Sequence, residues 1–480
     1  MTRPRRPRRP RQRVPAPWVR FRLPSGRGAV EQPNVAGDGP VPLTAGFWAA
    51  LVLTGVAAGL CGAGLIFVLR TVQHAAFGYH TGYFESAVVR ADPLRRVAVL
   101  LIAGALAGPA WYLLRKATSG EHTEVDDAVW RSGSRLSPRR AIGTSLLSEF
   151  VIGAGASLGR EAAPKLLGGV SGSVLGERCG FSREQSRMLI ACGAGAGLAA
   201  VYNVPLGGAA FTAEIMLGVI ALPTVLPALA CSAVATAVAW VYLPDQPTYL
   251  DIPDYPDSAS LAVWSLPAGL VIGLFAAGFV RLIGWTGFLT VKGRPAIVAP
   301  GVAFGLLGVV GIAYPQLLGN GKDMAHDAFV GASGLGFLFA LALLKPLVTA
   351  LCLGSGAYGG LFTPVLSTGA VLGGALGLVW SHVWSGPPSG AFALIGAAAM
   401  LGACLQAPVS ALVLTIELTD TGFPLMLPMI AATVIATALA RRIDGYSIYS
   451  ARLPADDWPT AGASAVSAAP PASAPAGSAL

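Results

Sequence analysis

Apolar residues fill most of this chain in long, nearly uniform runs that do not alternate with polar ones. Runs long enough to cross a bilayer, at roughly 20 residues each, lie at 46–72, 222–241, 261–283, 297–314, 337–353 and 423–440. Shorter runs, or runs broken by Gly and Pro, lie at 97–114, 146–158, 163–175, 188–202, 206–220, 364–380, 391–405 and 409–418. None has the two-residue period of a half-buried strand, and their Gly and Ala content suits helices that approach closely in lipid. The pattern predicts an all-α, polytopic membrane protein.

The pattern also repeats. Ala200-Val201-Tyr202-Asn203-Val204-Pro205 leads to Glu214, and Ala403-Cys404-Leu405-Gln406-Ala407-Pro408 leads to Glu417, with the same nine-residue step from proline to glutamate. Upstream, Gly159-Arg160-Glu161-Ala162-Ala163-Pro164 has its counterpart in Gly359-Gly360-Leu361-Phe362-Thr363-Pro364. The two pairs are offset by 203 and 200 residues, so one duplicated unit explains both. Residues 44–245 form the first membrane repeat and 246–445 the second. Interrupted apolar segments at matching places in two halves mark a transporter whose site lies between the repeats, because irregular backbone at membrane depth survives only where protein or a water-lined cavity satisfies it.

Composition supports a lipid solvent: 54% of the 480 residues are hydrophobic, 12% are charged, and the mean hydropathy is +0.63, a balance foreign to water-soluble domains. The net charge of +9 is concentrated at one end, where the first thirty residues carry ten arginines and no acid. That stretch, interleaved with proline, has too few apolar residues to bury a core, and 1–43 is expected to be a disordered basic tail. Arginine runs bind nucleic-acid phosphate. Positive charge just before a first apolar span instead holds that end in the cytoplasm and touches anionic lipid, so no nucleic-acid partner is expected. The first apolar run is long enough to span, which argues against a cleaved signal peptide. The Ala/Ser/Pro-rich end, 461–480, is expected to be a second disordered tail, with no soluble domain after the membrane part. Six scattered cysteines read as packing residues, and no metal site or cofactor is expected. No HExxH, GxSxG or paired catalytic carboxylate points to an enzyme.

Three breaks share one design, a Gly-rich or polar turn feeding a helix start: Ala117-Thr118-Ser119-Gly120-Glu121-His122, then Gly159–Pro164, then Gly359–Pro364. Pro164 and Pro364 suit the first turn of a helix, where the missing N–H is no loss. A helix start exposes unpaired N–H groups and about half a positive charge, and several aimed at one point bind an anion. Partial charges, with no buried Lys or Arg, let the ion leave quickly enough for conduction. Any one of these turns alone is an ordinary helix cap; three in a duplicated membrane chain point to a site.

Gly-Arg-Glu-x-x-Pro at 159–164, Gly-Gly-Leu-Phe-Thr-Pro at 359–364, Asn203-Val204-Pro205-Leu206, and Ile448-Tyr449-Ser450-Ala451 resemble, in order, the signature blocks of the CLC chloride channels and chloride/proton antiporters. The resemblance covers nearly the whole membrane region. It implies two inverted repeats of tilted and re-entrant helices, a homodimer with one anion pathway per subunit, and an inner-membrane location with both termini cytoplasmic. By resemblance, the Ser119 and Tyr449 hydroxyls and the Leu361 and Phe362 amides hold a central chloride, and the amides from Arg160 through Glu161 and Ala162 to Ala163 hold an outer one. Glu161 matches the gating glutamate, and 446–460 the C-terminal helix that carries the pore tyrosine.

The residues support competing readings beside this one. Glu161 at a helix start competes with chloride for the same N–H groups, or simply stabilises its helix. Tyr449 is otherwise an interfacial aromatic. Glu121 and His122 depart from the family block around Ser119. The internal glutamate that hands protons to the gate in coupled members is Ile215 here, which carries no proton; Glu214 and His122 are the candidate substitutes. Glu214 and Glu417, late in matching helices, equally suit a structural pair. Voltage- or pH-gated conduction and chloride/proton exchange both remain open, and an inverted-repeat carrier of nitrate, fluoride or an organic anion is the alternative. Lys345, inside an apolar run, is a candidate to pair with an acid.

Overall fold

The computed structural model describes residues 41–119, 124–132 and 135–452. Most of the basic tail, the C-terminal tail, Glu121 and His122 therefore lie outside the described residues. The first repeat contains α1 (Ala45–Phe77), α2 (Phe84–Arg90), α3 (Pro93–Ala117), α4 (Val125–Asp127), α5 (Pro138–Gly153), α6 (Ala162–Arg178), α7 (Arg183–Tyr202), α8 (Pro205–Phe211) and α9 (Leu222–Ala239). The second contains α10 (Ala259–Leu289), α11 (Ala299–Ala313), α12 (Lys322–Val330), α13 (Leu335–Gly354), α14 (Phe362–Trp380), α15 (Ser389–Leu405), α16 (Pro408–Thr419) and α17 (Met426–Ile443). Among the described residues the chain is helical, with one isolated bridge between Gly159 and Gly360.

Seven of these helices are long and apolar enough to cross a membrane, and the molecule is a multi-span membrane protein. Five of the six expected spans are among them, as α1, α9, α10, α13 and α17 with its preceding turn. The run at 297–314 is instead a 3-10 turn followed by the 15-residue α11, because Pro300 starts a new helix. Two runs judged short reach spanning length, α3 and α14. In α3, Pro93 at the first position and an Asp92 cap extend the helix before its apolar run begins.

The halves pack alike. In the first, α6 lies on α7, α1 on α9 and α7 on α9; in the second, α14 lies on α15, α10 on α17 and α15 on α17. Across the halves, α3 packs on α11 and α8 on α16. Each of these is a helix meeting its own counterpart, as elements beside a pseudo-two-fold axis must. The fold is thus two inverted repeats. Close contact depends on small residues: Gly168 of α6 and Gly193 of α7 face each other's backbone, so a Cβ on either would strike the other's carbonyl.

The proline-to-glutamate repeat has a mechanical meaning. α7 and α15 end on the left-handed residues Asn203 and Gln406, both with φ 57°, and Pro205 and Pro408 then open α8 and α16. Glu417 reaches back to the start of α8, accepting from Leu206 N at 3.0 Å and Gly207 N at 2.5 Å. Glu214 does the same for α16, accepting from Val409 N at 3.2 Å and Ser410 N at 2.6 Å. Each carboxylate thus caps the partner helix of the other repeat, where the dipole also favours it. Lys345 is fully buried but pairs with no acid among the described residues. Its Nζ donates to the Leu317 and Gly319 carbonyls at 3.2 and 2.9 Å, oxygens freed by the turn before α12.

Glu214→Ala and Glu417→Ala should each destabilise the protein by about 1 kcal/mol, the usual cost of a lost cap. Thermal unfolding in detergent, followed by size-exclusion, reads this as a lowered midpoint for either variant; an unchanged midpoint would mean that the caps carry no weight.

Candidate anion site at the two broken helices

α6 and α14 both begin inside the protein, where Leu361, Phe362, Ala162 and Ala163 are buried. Their approach segments are tied together: Gly159 N donates to Gly360 O at 2.8 Å and Gly360 N to Gly159 O at 2.7 Å. This two-bond bridge satisfies backbone that would otherwise be orphaned at membrane depth. It also brings the starts of two helices from different repeats to one place.

Glu161, 2% exposed, precedes α6 but makes no side-chain cap to its own helix. Its carboxylate crosses to the other repeat and accepts from Phe362 N, the first amide of α14, at 2.7 Å. Tyr202 Oη donates to its second oxygen at 3.0 Å, and Thr363 Oγ1 lies 3.3 Å from that oxygen. The Tyr202 and Thr363 hydroxyls also meet each other. Glycine at both ends of the bridge makes room for this carboxylate, which a Cβ at Gly159 or Gly360 would push from its place. The space is shaped to hold an anion, and an anionic side chain fills it.

Arg160 points the other way, with its guanidinium carbon 4.8 Å from the Tyr202 ring centre. It lines a cavity of about 320 Å³ with Arg70, Lys322, Glu85, Asp323 and Tyr79. Asp323 Oδ2 accepts from Glu85 N at 2.7 Å, which ties α2 to α12. Lys322, Asp323 and Glu85 lie outside the spanning helices. Burial, then the Arg160 charge, pushes Lys322 down to about 8; burial, then Asp327 and Asp323, pushes Glu85 up to about 8.

Tyr449 is buried, with its ring edge-on to Phe211 at 6.2 Å between centroids. It is followed by a single 3-10 turn, Ser450–Arg452, in place of a regular helix over the described part of 446–460. Gly445 takes a φ of 69°, and the Ser447 and Ser450 side chains each accept from the other's amide, an arrangement that competes with helix. Lys165 Nζ also stands over the Tyr449 ring, 4.4 Å from its centroid. The expectation of a site without a buried cation is therefore corrected: Lys165 is 6% exposed and paired with Asp126. Its place four residues after Glu161 in an apolar helix was the available signal, since intramembrane charges are functional suspects.

The structure thus brings Glu161, Leu361, Phe362, Ala162 and Ala163 to one place and sets Tyr449 beside Lys165. Ser119 is exposed in the turn after α3, and the helix start expected beyond it falls at 120–123, outside the described residues. Ile215 is fully buried, and Glu214 is the α16 cap. Sequence reasoning gave no role to Tyr202 and Thr363, which hold the Glu161 carboxylate, or to Glu149, which is fully buried with neither carboxylate oxygen hydrogen-bonded among the described residues.

Comparison with known proteins places this arrangement. The H+/Cl− exchange transporter ClcA of Yersinia pestis is 31% identical over 320 residues, 63% of this chain and 65% of that protein; the match spans about two-thirds of that relative's length. The voltage-gated ClC-type chloride channel ClcB of Citrobacter koseri is 27% identical over 405 residues, 83% of this chain and 96% of that protein. Among solved structures, a slow cyanobacterial Cl−/H+ antiporter superposes with a TM-score of 0.73 at 23% identity, covering 85% of this chain and 97% of its own. A CLC-type fluoride/proton antiporter gives 0.69 at 20% identity, with coverage of 85% and 97%; at such identities these likenesses establish the fold. The model of the voltage gated chloride channel family matches residues 103–441, a stretch that holds both helix breaks, the bridge between them and Glu161, and the chain belongs to that family.

Proposed function

We propose that this protein carries chloride across the bacterial inner membrane along a path through the Gly159–Gly360 bridge, with Glu161 as its gate. One observation carries the reading: the Glu161 carboxylate sits on the Phe362 amide at a helix start, and so stands where a chloride would be held. Carboxylate and chloride compete for the same donors. Proton uptake by Glu161 removes its charge, frees the amide, and opens the place to the ion. The Tyr202 and Thr363 hydroxyls serve either occupant, since a hydroxyl can turn from one acceptor to another. No cofactor enters this scheme, and the only partners it requires are chloride, lipid and, for exchange, protons.

Orientation follows from charge. The arginine-rich segment before α1 and the Arg115, Lys116, Arg139 and Arg140 cluster between α3 and α5 favour a cytoplasmic location for that side, which supports cytoplasmic termini. The Arg160 cavity is then the outer mouth. A homodimer with one pathway per subunit is the assembly that the family resemblance implies.

Proton coupling remains distinguishable from passive conduction. With Ile215 apolar and Glu214 engaged as a cap, the usual internal acid is missing. Chloride efflux from loaded vesicles, recorded together with external pH, separates the two: stoichiometric proton countermovement means exchange, and its absence means a channel. Replacing chloride by nitrate or fluoride in the same assay tests the alternative cargo.

Two outcomes are expected. Wild-type flux should change with pH by up to about tenfold per unit near the Glu161 titration, the limit for one proton, and Glu161→Ala should abolish that steep response; a dependence near tenfold per unit that survives in Glu161→Ala would remove Glu161 as the gate. In the Glu161→Ala background, raising the outer pH from about 7 to about 9 should slow chloride entry about threefold, because Lys322 loses its charge and Glu85 gains one, both making the mouth less positive. Initial uptake rates check this, and Lys322→Gln combined with Glu85→Gln should flatten the profile.

A further inference from the structure

Lys165 lies one helical turn beyond Glu161 on α6, a spacing that puts both on one face of the helix. Its ammonium is 2.9 Å and 3.1 Å from the two Asp126 oxygens. Both residues are buried, Asp126 at 9% exposed. Two contacts to Asp126 leave one of the three ammonium donors uncommitted. On the same side lies the Tyr449 ring, 4.4 Å from Nζ. Asp126 comes from α4, so the cation is positioned by an element outside α6 and kept beside the tyrosine.

We propose that Lys165 is a specificity-determining residue of the anion pathway: its ammonium supplies a fixed positive charge at the Tyr449 end, and Asp126 offsets that charge so that the ion can leave. This rests on the chloride-transport reading given above. An unopposed lysine would hold an anion too firmly for turnover, whereas helix starts alone hold it through partial charges. A paired lysine lies between these limits. In this proposal the ammonium, which stands against the Tyr449 ring, is the charge nearer to the ion, so the pair attracts although its net charge is zero. Each half of the pair then acts on affinity with its own sign.

That sign separates the proposal from a structural role. A pair that only holds α4 to α6 would be broken equally by losing either member, and both losses would act in one direction through a buried unpaired charge. Here they must act in opposite directions. Chloride binding to the full-length protein in detergent, measured by isothermal titration calorimetry, should weaken about tenfold in Lys165→Met and tighten about threefold in Asp126→Asn. Chloride efflux from vesicles should slow in Asp126→Asn because release slows. Lys165→Arg should keep affinity near the wild-type value. Should Lys165→Met fail to fold, the double variant Lys165→Met with Asp126→Asn removes the unpaired charge, and its affinity should fall below wild type. Equal shifts of the same sign, or lost thermal stability with unchanged affinity, would overturn the proposal and leave the pair structural. Wild-type protein that neither binds nor releases chloride would overturn the transport reading itself, and this inference with it.

Discussion

Two hydrogen bonds between Gly159 and Gly360 hold the starts of two helices together inside an apolar protein, and the site exists because of them. A broken helix in lipid leaves N–H groups that have no water to turn to. One such end is a liability; two ends from opposite repeats, tied edge to edge, share a small polar space that an anion can satisfy. Glycine on both sides leaves the space beside the bridge open for the Glu161 carboxylate, which a Cβ there would displace.

The same solution appears three times. Glu214 caps α16, Glu417 caps α8, and Glu161 accepts from the first amide of α14. In every case an acid from one repeat meets a helix start of the other, so the repeats are joined through charge at helix dipoles as well as through packing. Duplication explains the symmetry of the first two: Asn203 and Gln406 turn left-handed at matched positions, and proline opens the next helix in both halves. Glu161 has no counterpart, because residue 361 is a leucine. Glu161 thus stands at a position where the two repeats differ.

This also explains what could be read from sequence and what could not. The two-repeat organisation was legible because proline, glutamate and the left-handed cap residues recur at fixed spacing, and those residue types have a restricted backbone meaning. Glu161 was legible from the block around it. The crossing of Glu161 to Phe362 was not, since a glutamate next to a helix start suggests a cap on its own helix, and only the tertiary bridge redirects it. Lys165 was overlooked for a related reason: its partner, Asp126, lies 39 residues away, and a lone lysine in an apolar helix gives its presence but no direction. Lys345 shows the limit of the rule that intramembrane charges pair with opposite charges, because carbonyls exposed at a turn serve it as well.

The three carboxylates differ in how they are held, and that difference bears on why one of them suits a gate. Glu214 and Glu417 each engage two amides of one helix, with one oxygen to each N–H. Backbone donors cannot reorient, so either acid is released only by disturbing the helix it caps. Glu161 has one such donor from α14 and two hydroxyls, Tyr202 and Thr363, that also bond each other. Were the carboxylate to leave, the hydroxyls would keep each other as partners and the Phe362 amide would be left unmet, a place that an anion could fill. Loss of a buried hydrogen bond costs about 1 to 3 kcal/mol when a group is left unmet, a cost that the exchange of one anion for another avoids.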